Sequence, residues 1–134
     1  MSKRKSIMAG VVLATLMSGL SGVAAAEANK NVGKVYFKMI CTVCHMSSAG
    51  KAIPPSTYTM KQWEAYLDAD KHDKTGKTNP KVSYYTSQAY RETIKDTNQA
   101  AKKFLAMPDA EAAANVRAFV VGGAKDSDTP ASCE

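Results

Sequence analysis

The chain has 134 residues, of which 18 are lysine or arginine and 12 are aspartate or glutamate, with three cysteines and two histidines. This length allows one domain, and 45% hydrophobic with 22% charged residues excludes both a disordered chain and a polytopic membrane protein. Three cysteines cannot all pair with one another, which argues against a small disulfide scaffold. The motifs of phosphate loops, dinucleotide-binding folds and HExxH zinc proteases are absent from the sequence.

The N-terminus has the pattern of a secretory signal peptide. Basic residues at positions 3–5 precede an apolar stretch over 7–20, and small residues at 24–26 follow it. Because that stretch is shorter than the roughly 20 residues needed to cross a bilayer, a retained membrane anchor is the weaker interpretation. We therefore predict cleavage after Ala26 and a mature domain over 27–134. This domain is expected in the periplasm, with no transmembrane segment.

Removal of the leader lowers the formal net charge from +6 to +3, because the leader holds three basic residues and no acidic one. A charge this small gives no reason to expect nucleic-acid binding. It allows a basic face that would attract an acidic partner protein. The lysines available for such a face, which are otherwise a solvated surface, are Lys71, Lys74, Lys77, Lys81, Lys102 and Lys103.

Hydrophobic periodicity predicts four helical segments in the mature chain. They are residues 29–45, residues 59–68, residues 87–106 and a last helix that Pro108 opens and Gly122 with Gly123 ends. Loops with glycine and proline separate them at 47–59 and 71–82. Since no stretch alternates between apolar and polar residues as a strand does, the predicted fold class is all-α.

The second and last helices have faces from which core residues can be predicted. In the second helix, Thr59 is placed to cap the first turn, and Met60 shares an apolar face with Trp63. We expect Met60 to pack in the core rather than to bind a ligand. In the last helix, the residues expected to face inward are Ala113, Val116, Phe119 and Val120.

Residues 41–45 read Cys-Thr-Val-Cys-His, which is the C-x-x-C-H pattern of covalent haem attachment. Cys41 and Cys44 are three residues apart, so they lie on one helical turn, where both sulfurs can add to the vinyl groups at one edge of a haem. His45 is then held beneath the iron as the proximal ligand. A thioredoxin-like pair would need a βαβ setting and a zinc site would need further ligands, whereas a structural disulfide would leave His45 unexplained. The pattern therefore predicts one haem c, bound through Cys41 and Cys44.

The residues before the motif resemble those of class I c-type cytochromes. Gly33, Phe37 and Cys41 stand in the spacing G-x-x-x-F-x-x-x-C-x-x-C-H. In that family, the glycine and the aromatic residue of the first helix cross the last helix at close range. The resemblance implies that the answering residues in this chain are Val116, Ala118 and Phe119.

The resemblance also implies a fold and two further contacts. The fold is a cytochrome c-like domain of three to five helices around one covalently attached haem. The backbone oxygen of Pro54 would accept the ring N–H of His45, which fixes the tautomer of the ligand. Trp63 would hydrogen-bond a haem propionate, with simple burial as the alternative.

The identity of the sixth iron ligand stays open at this point. His72 is the only other histidine, and it follows the second helix in a loop that could fold over the haem, so we prefer it. Met107 has the long spacing from the motif of a class I methionine. However, Pro108 opens the last helix directly after it, and Met107 could instead pack as a hydrophobic staple. Met39 and Met46 are too close to the motif to reach the opposite haem face.

These observations predict a periplasmic monohaem c-type cytochrome, which is an electron carrier rather than an enzyme and shuttles single electrons between redox partner proteins. One alternative is a haem enzyme or small-ligand sensor, in which neither His72 nor Met107 approaches the iron. Another is an accessory subunit docked permanently to an oxidoreductase. A large exposed apolar patch, or pairing of the remaining cysteine, Cys133, with another chain, would favour that role.

Overall fold

The protein is all-α in the part of the chain that its computed structural model describes, which is residues 27–41, 53–72 and 79–132. About 62% of these residues are helical and none forms a strand. The elements are α1 (Lys30–Tyr36), which continues into a π-helical turn (Phe37–Cys41), a 3-10 turn (Pro55–Thr57), α2 (Met60–Ala69), α3 (Val82–Tyr85), α4 (Gln88–Ile94), α5 (Gln99–Lys103) and α6 (Asp109–Gly122). No helix in the described ranges is both long and apolar enough to span a membrane.

The first predicted helix is confirmed over its described part. Asn29 caps α1, since its side chain accepts hydrogen bonds from the backbone N–H groups of Asn31 and Val32 at 3.0 and 3.1 Å. The helix then widens into the π-helical turn, which ends at Cys41. Such turns are rare in proteins overall, but those that occur are often found at functional sites. Residues 42–45, like the predicted leader over 1–26, lie outside the described residues.

The second predicted helix is confirmed as α2, but the expected burial of Met60 is wrong. Thr59 and Gln62 form a reciprocal capping box that fixes the start of the helix. Trp63 points into the core and is 5% exposed, whereas Met60 is 38% exposed. Helical side chains lean towards the N-terminus, so a residue in the first position projects past the start of the helix instead of onto its packed face.

The predicted helix over 87–106 is wrong as a single element, because the structure divides it into α4 and α5. Asn98 turns the chain there: its side chain accepts the backbone N–H of Ala101 at 3.0 Å and so caps α5. Short polar side chains such as those of Thr97 and Asn98 compete with the helix for backbone hydrogen bonds. The short helix α3 was likewise not predicted.

The last predicted helix is confirmed as α6, with Pro108 in the capping position and Gly123 after its final residue. The acidic Asp109 and Glu111 lie in its first turn, where the helix dipole favours negative charge. Of the residues expected to face inward, Val116, Phe119 and Val120 are buried. Ala113 is exposed, because the buried face continues to Ala112, one turn before Val116.

The close approach of the first and last helices is confirmed, with one change in the contact residues. A Cβ atom built on Gly33 would lie 1.8 Å from the backbone oxygen of Asn115, so the two helices touch through their backbones. The rings of Phe37 and Phe119 pack beside this contact with centroids 5.6 Å apart. Asn115, rather than Ala118, therefore meets the glycine. This crossing fixes the direction in which α1 delivers Cys41.

Candidate functional site

An apolar cavity of about 380 Å³ lies between the π-helical turn, α2, α3 and α6. This volume falls within the range of about 300–1,000 Å³ that is typical of small-molecule and cofactor sites. The walls are mostly aliphatic and aromatic side chains. The described residues that line it are Phe37, Cys41, Ile53, Tyr58, Trp63, Tyr66, Leu67, His72, Val82, Tyr85, Thr86, Val116 and Val120. We call this space the Cys41 cavity.

Cys41 reaches the cavity at the end of the π-helical turn and is half-buried. Cys44 and His45 lie outside the described residues. The chain on each side of the undescribed segment 42–52 lines the cavity, through Cys41 before it and Ile53 after it. The described residues on both sides of the segment that carries the rest of the C-x-x-C-H motif are therefore residues of the cavity wall.

Pro54 follows directly on Ile53, at the entrance to the 3-10 turn. Its backbone oxygen accepts the N–H of Thr57 at 2.9 Å. A carbonyl oxygen has two lone pairs, so this bond leaves one acceptor position on Pro54. The implied hydrogen bond to His45 is compatible with this geometry and stays a prediction, because His45 lies outside the described residues.

His72 lines the same cavity as Cys41. It follows α2 after a short turn, and its backbone N–H donates to the oxygen of Pro80 at 2.8 Å. Its imidazole packs against the ring of Tyr85, with centroids 4.5 Å apart and planes at 44°. The structure thus brings together, around one apolar space, the first cysteine of the motif and the preferred candidate for the sixth ligand.

Met107 lies away from the cavity and is not among the described residues that line it. Its backbone oxygen accepts a hydrogen bond from Arg91, and its sulfur accepts one from Asn115 Nδ2 at 4.0 Å. The side chain is half-buried and packs against the core just before α6. These contacts fit the alternative in which Met107 is a staple residue.

The other methionine candidates are also placed by the structure. Met39 is 51% exposed on the outside of the π-helical turn, and Met60 is 38% exposed. Neither lines the cavity in the part of the chain that is described. Met46 lies outside the described residues.

Trp63 is buried and its single donor is already used. The indole N–H donates to the backbone oxygen of Pro55 at 2.7 Å. The ring makes edge-to-face contacts with Tyr58 and Tyr66 at 5.0 and 6.0 Å. Because an indole has one N–H, the propionate contact implied by the resemblance is not available to it in this geometry, and simple burial is what is observed.

A buried arginine behind the cavity wall was not anticipated from the sequence. Arg91 of α4 is fully buried and donates to the backbone oxygens of Thr86 and Met107. It also donates to the hydroxyl of Tyr36 at 3.3 Å and pairs with Asp109 at the same distance. In the sequence it looks like one more basic residue on an exposed helix, so no local pattern marks it as buried.

This arginine and Tyr36 together hold the wall formed by α3. The Tyr36 hydroxyl donates to the backbone oxygen of Tyr85 at 2.9 Å, next to the Thr86 oxygen that Arg91 binds. Burial raises the pKa of Tyr36 to about 12, although the neighbouring Arg91 opposes this shift. Thr86 and Tyr85 both line the cavity, so the network fixes the surface that faces His72.

Three tyrosines pack against one another, and one of them, Tyr85, contacts His72. The rings of Tyr84, Tyr85 and Tyr90 lie with centroids 4.9 to 5.4 Å apart, and each is half-buried. This is the packed arrangement that aromatic side chains commonly adopt. Only Tyr85 of the three lines the cavity within the described ranges.

The donor atoms at the cavity do not form a metal site by themselves. In the described ranges, no three His, Cys, Asp or Glu side chains converge on a position where they could hold a metal ion. The lining is mostly apolar, with the thiol of Cys41 and the imidazole of His72 among its residues, which suits an apolar group better than a bare metal ion. Comparison of the chain with protein-family models, with curated proteins and with solved structures gives no match.

Proposed function

We propose that this chain is a monohaem c-type cytochrome, similar to the class I type, that carries single electrons between redox partner proteins in the periplasm. The observation that carries the proposal is that Cys41, the first residue of the C-x-x-C-H motif, lies in the wall of the same apolar cavity as His72. The export pattern at residues 1–26 supports the compartment. The proposal takes the domain over 27–134 as cytochrome c-like, with its helices around one haem.

Each residue has a defined role in this proposal. Cys41 and Cys44 attach the haem through thioether bonds, His45 is the proximal ligand, and His72 is the sixth ligand. The bound group would supply an iron that alternates between the ferric and ferrous states. Filling both axial positions would leave no coordination site for a substrate, which fits a carrier and not an enzyme.

The walls of the cavity would supply the apolar surroundings that the haem of an electron carrier needs. Trp63, Tyr66 and Val116 surround the space with apolar surface that excludes water. Burial and the choice of axial ligand are the main means by which a protein sets the potential of a haem. Two imidazoles favour the ferric state more than a histidine with a methionine does, so His72 would give a lower potential than Met107.

The identity of the partner is proposed from charge alone. The segment 71–81 contains four lysines and one aspartate and begins beside His72. Of these lysines, Lys71 and Lys81 are exposed in the described ranges. A redox partner with an acidic docking face would therefore be attracted to the side of the domain from which His72 enters the cavity, with an association rate that falls as salt is added.

Covalent attachment is tested on the mature chain expressed with a cytochrome maturation system. The intact mass should exceed that of the polypeptide by one haem, and Cys41→Ser and Cys44→Ser should each reduce the yield of the fully attached form. Cys133→Ser is the matched control, because it removes the cysteine outside the motif, and it should leave attachment unchanged. A colourless chain with the mass of its polypeptide would refute the proposal.

The sixth ligand is tested with carbon monoxide and with absorption spectra. In the reduced protein, carbon monoxide should bind slowly, because His72 must first leave the iron, and His72→Ala should make binding fast. Met107→Leu should leave both the rate and the spectrum unchanged. Fast, tight binding to the unmodified protein would instead favour the haem enzyme or sensor, and a near-infrared band of methionine-ligated ferric haem would favour Met107.

A further inference from the structure

We propose that Asp70 and Ser83 form a clasp that closes the base of the loop carrying His72 and so positions His72 as the sixth ligand. The inference rests on the proposed function. Both oxygens of the Asp70 carboxylate accept hydrogen bonds from Ser83, one from the backbone N–H and one from the hydroxyl, each at 2.7 Å. Asp70 is the residue after α2 and Ser83 is the second residue of α3, so the clasp spans the loop between these helices.

The backbone of Asp70 is shaped for this contact. With φ 48° and ψ 38° it is left-handed, and it is the sole non-glycine residue in the described ranges with a positive φ. Aspartate and asparagine tolerate this conformation better than most other residues, and it ends α2 abruptly. The chain turns at once towards His72, two residues later.

Asp70 provides the N-terminal hydrogen-bond acceptor that α3 lacks in its own capping residue. The residue before α3, Lys81, makes no side-chain cap hydrogen bond. Asp70 supplies the missing acceptor from thirteen residues away, and its negative charge lies at the start of the helix. A helix of four residues has almost no stability of its own, because nucleation is unfavourable. The clasp therefore holds the start of α3, while the hydrogen bonds from Tyr36 and Arg91 hold its end.

Two further hydrogen bonds lie just inside the clasp. The N–H of His72 donates to the oxygen of Pro80 at 2.8 Å, and the N–H of Asn79 donates to the hydroxyl of Tyr85 at 2.7 Å. Tyr85 belongs to α3, and its ring contacts the imidazole of His72. The first of these bonds joins the two ends of the loop, and the second ties its C-terminal end to the wall against which His72 lies.

If the clasp opens, α3 and the loop lose their mutual constraint and His72 can leave the cavity more often. An external ligand binds through that open state, so its rate of binding reports how often the state is populated. Loss of a charge-assisted hydrogen bond is expected to raise this population about tenfold. Asp70 and Ser83 do not touch the iron in this proposal, so they are positioning residues.

The variants are chosen to separate positioning from general stability. Asp70→Gly removes the carboxylate but suits the left-handed backbone, and Ser83→Ala removes the hydroxyl. Asp70→Asn keeps an acceptor for the Ser83 N–H and is the conservative variant. Thr93→Ala is the matched control: Thr93 of α4 is exposed, and its hydroxyl donates to the backbone oxygen of Tyr90 at 2.6 Å, outside both α3 and the loop base.

The experiment measures cyanide binding to the ferric holoprotein and amide hydrogen exchange at Ser83. We expect cyanide to bind about ten times faster to the Asp70→Gly variant and several times faster to the Ser83→Ala variant. Asp70→Asn, which keeps one acceptor oxygen but no charge, should fall between Asp70→Gly and the unmodified protein, and Thr93→Ala should stay near the unmodified rate. Exchange at the Ser83 amide should accelerate in the Asp70→Gly variant, which is a readout independent of the haem.

The outcomes separate this proposal from the proposed function. If His72→Ala speeds cyanide binding but Asp70→Gly and Ser83→Ala do not, His72 is the ligand and the clasp is refuted as its positioning device. Equal exchange of the Ser83 amide with and without the carboxylate would also refute it. A chain without haem, or one in which His72→Ala changes nothing, overturns the assigned ligation itself and with it the role of the clasp.

Discussion

Replacement of Gly33 by alanine tests the helix crossing that orients Cys41. Alanine is the better helix former by about 1 kcal/mol, so on local grounds Gly33→Ala should stabilise α1. The crossing predicts the opposite. The added methyl group would lie 1.8 Å from the oxygen and 2.5 Å from the carbon of the Asn115 carbonyl, and 3.1 Å from Phe119 Cβ. Two of these three atoms are backbone, so they cannot be relieved by a change of rotamer.

The size of the effect follows from how far the helices must separate. Cβ contacts shorter than 3.0 Å essentially never occur, so α1 and α6 would have to move apart by more than about 1 Å. That movement would stretch the hydrogen bond from Asn29 N–H to Asn115 Oδ1, which is 2.6 Å long, and loosen the contact of Phe37 with Phe119. Overpacking costs about 1–3 kcal/mol or more, and a backbone contact belongs at the upper end. After the gain in propensity, the net loss is about 2 kcal/mol.

The assay is urea and thermal unfolding of the holoprotein, in which a loss of about 2 kcal/mol corresponds to roughly 10 °C in the melting temperature. Gly122→Ala is the matched control. The three atoms nearest to its added Cβ all belong to the flexible side chain of Lys30, at 3.2 to 3.5 Å, so the stability should not fall by more than about 0.5 kcal/mol. If Gly33→Ala is as stable as the unmodified protein, the two backbones do not touch as described.

Two further predictions concern the buried network behind the cavity wall. Arg91→Met should cost about 3 kcal/mol in urea unfolding, because it leaves the backbone oxygens of Thr86 and Met107 without their donor. Asp109→Asn should cost less than about 1 kcal/mol, since that side chain is 58% exposed; equal losses would contradict this assignment. Burial raises the pKa of Tyr36 to about 12 from 10.0, so the stabilisation of the fold by the protonated phenol is complete below pH 10. That stabilisation is lost between pH 10 and 12, by up to about 2 kcal/mol. Tyr36→Phe should lack this loss, and parallel pH profiles of the two proteins in urea unfolding would show that the phenol does not titrate as described.

The parts of the fold that could be predicted depend on contacts within one helical turn. Thr59 caps α2 through Gln62, three residues later, and both residues are visible in the sequence as a capping pattern. Pro108 and Gly123 mark the two ends of α6 for reasons that are equally local. The family resemblance carried by Gly33 and Phe37 implied a close crossing of the first and last helices. Which residue of α6 meets the glycine depends on the rotation of the helix, which the sequence does not specify.

The parts that could not be predicted depend on partners far apart in the chain. The short helix α3 owes its cap to Asp70, thirteen residues away, and no window of sequence around Ser83 contains that acceptor. Trp63 uses its N–H on a backbone oxygen, an acceptor that every residue has and no pattern distinguishes. Arg91 is buried because it collects acceptors from three separate elements, whereas its neighbours in sequence are those of an exposed helix.

Arg91 connects the surroundings of His72 and Met107, the two candidates for the proposed sixth ligand. Arg91 donates to the backbone oxygen of Thr86, at the end of α3, and to that of Met107, just before α6. The first bond holds in place the cavity wall against which the ring of Tyr85 meets His72. The second holds Met107 behind that wall, beside Asn115. The Met107 side chain packs against the core there, with its sulfur 4.0 Å from Asn115 Nδ2. Under the proposed haem ligation, this arrangement agrees with the sequence-based preference for His72 over Met107 as the sixth ligand.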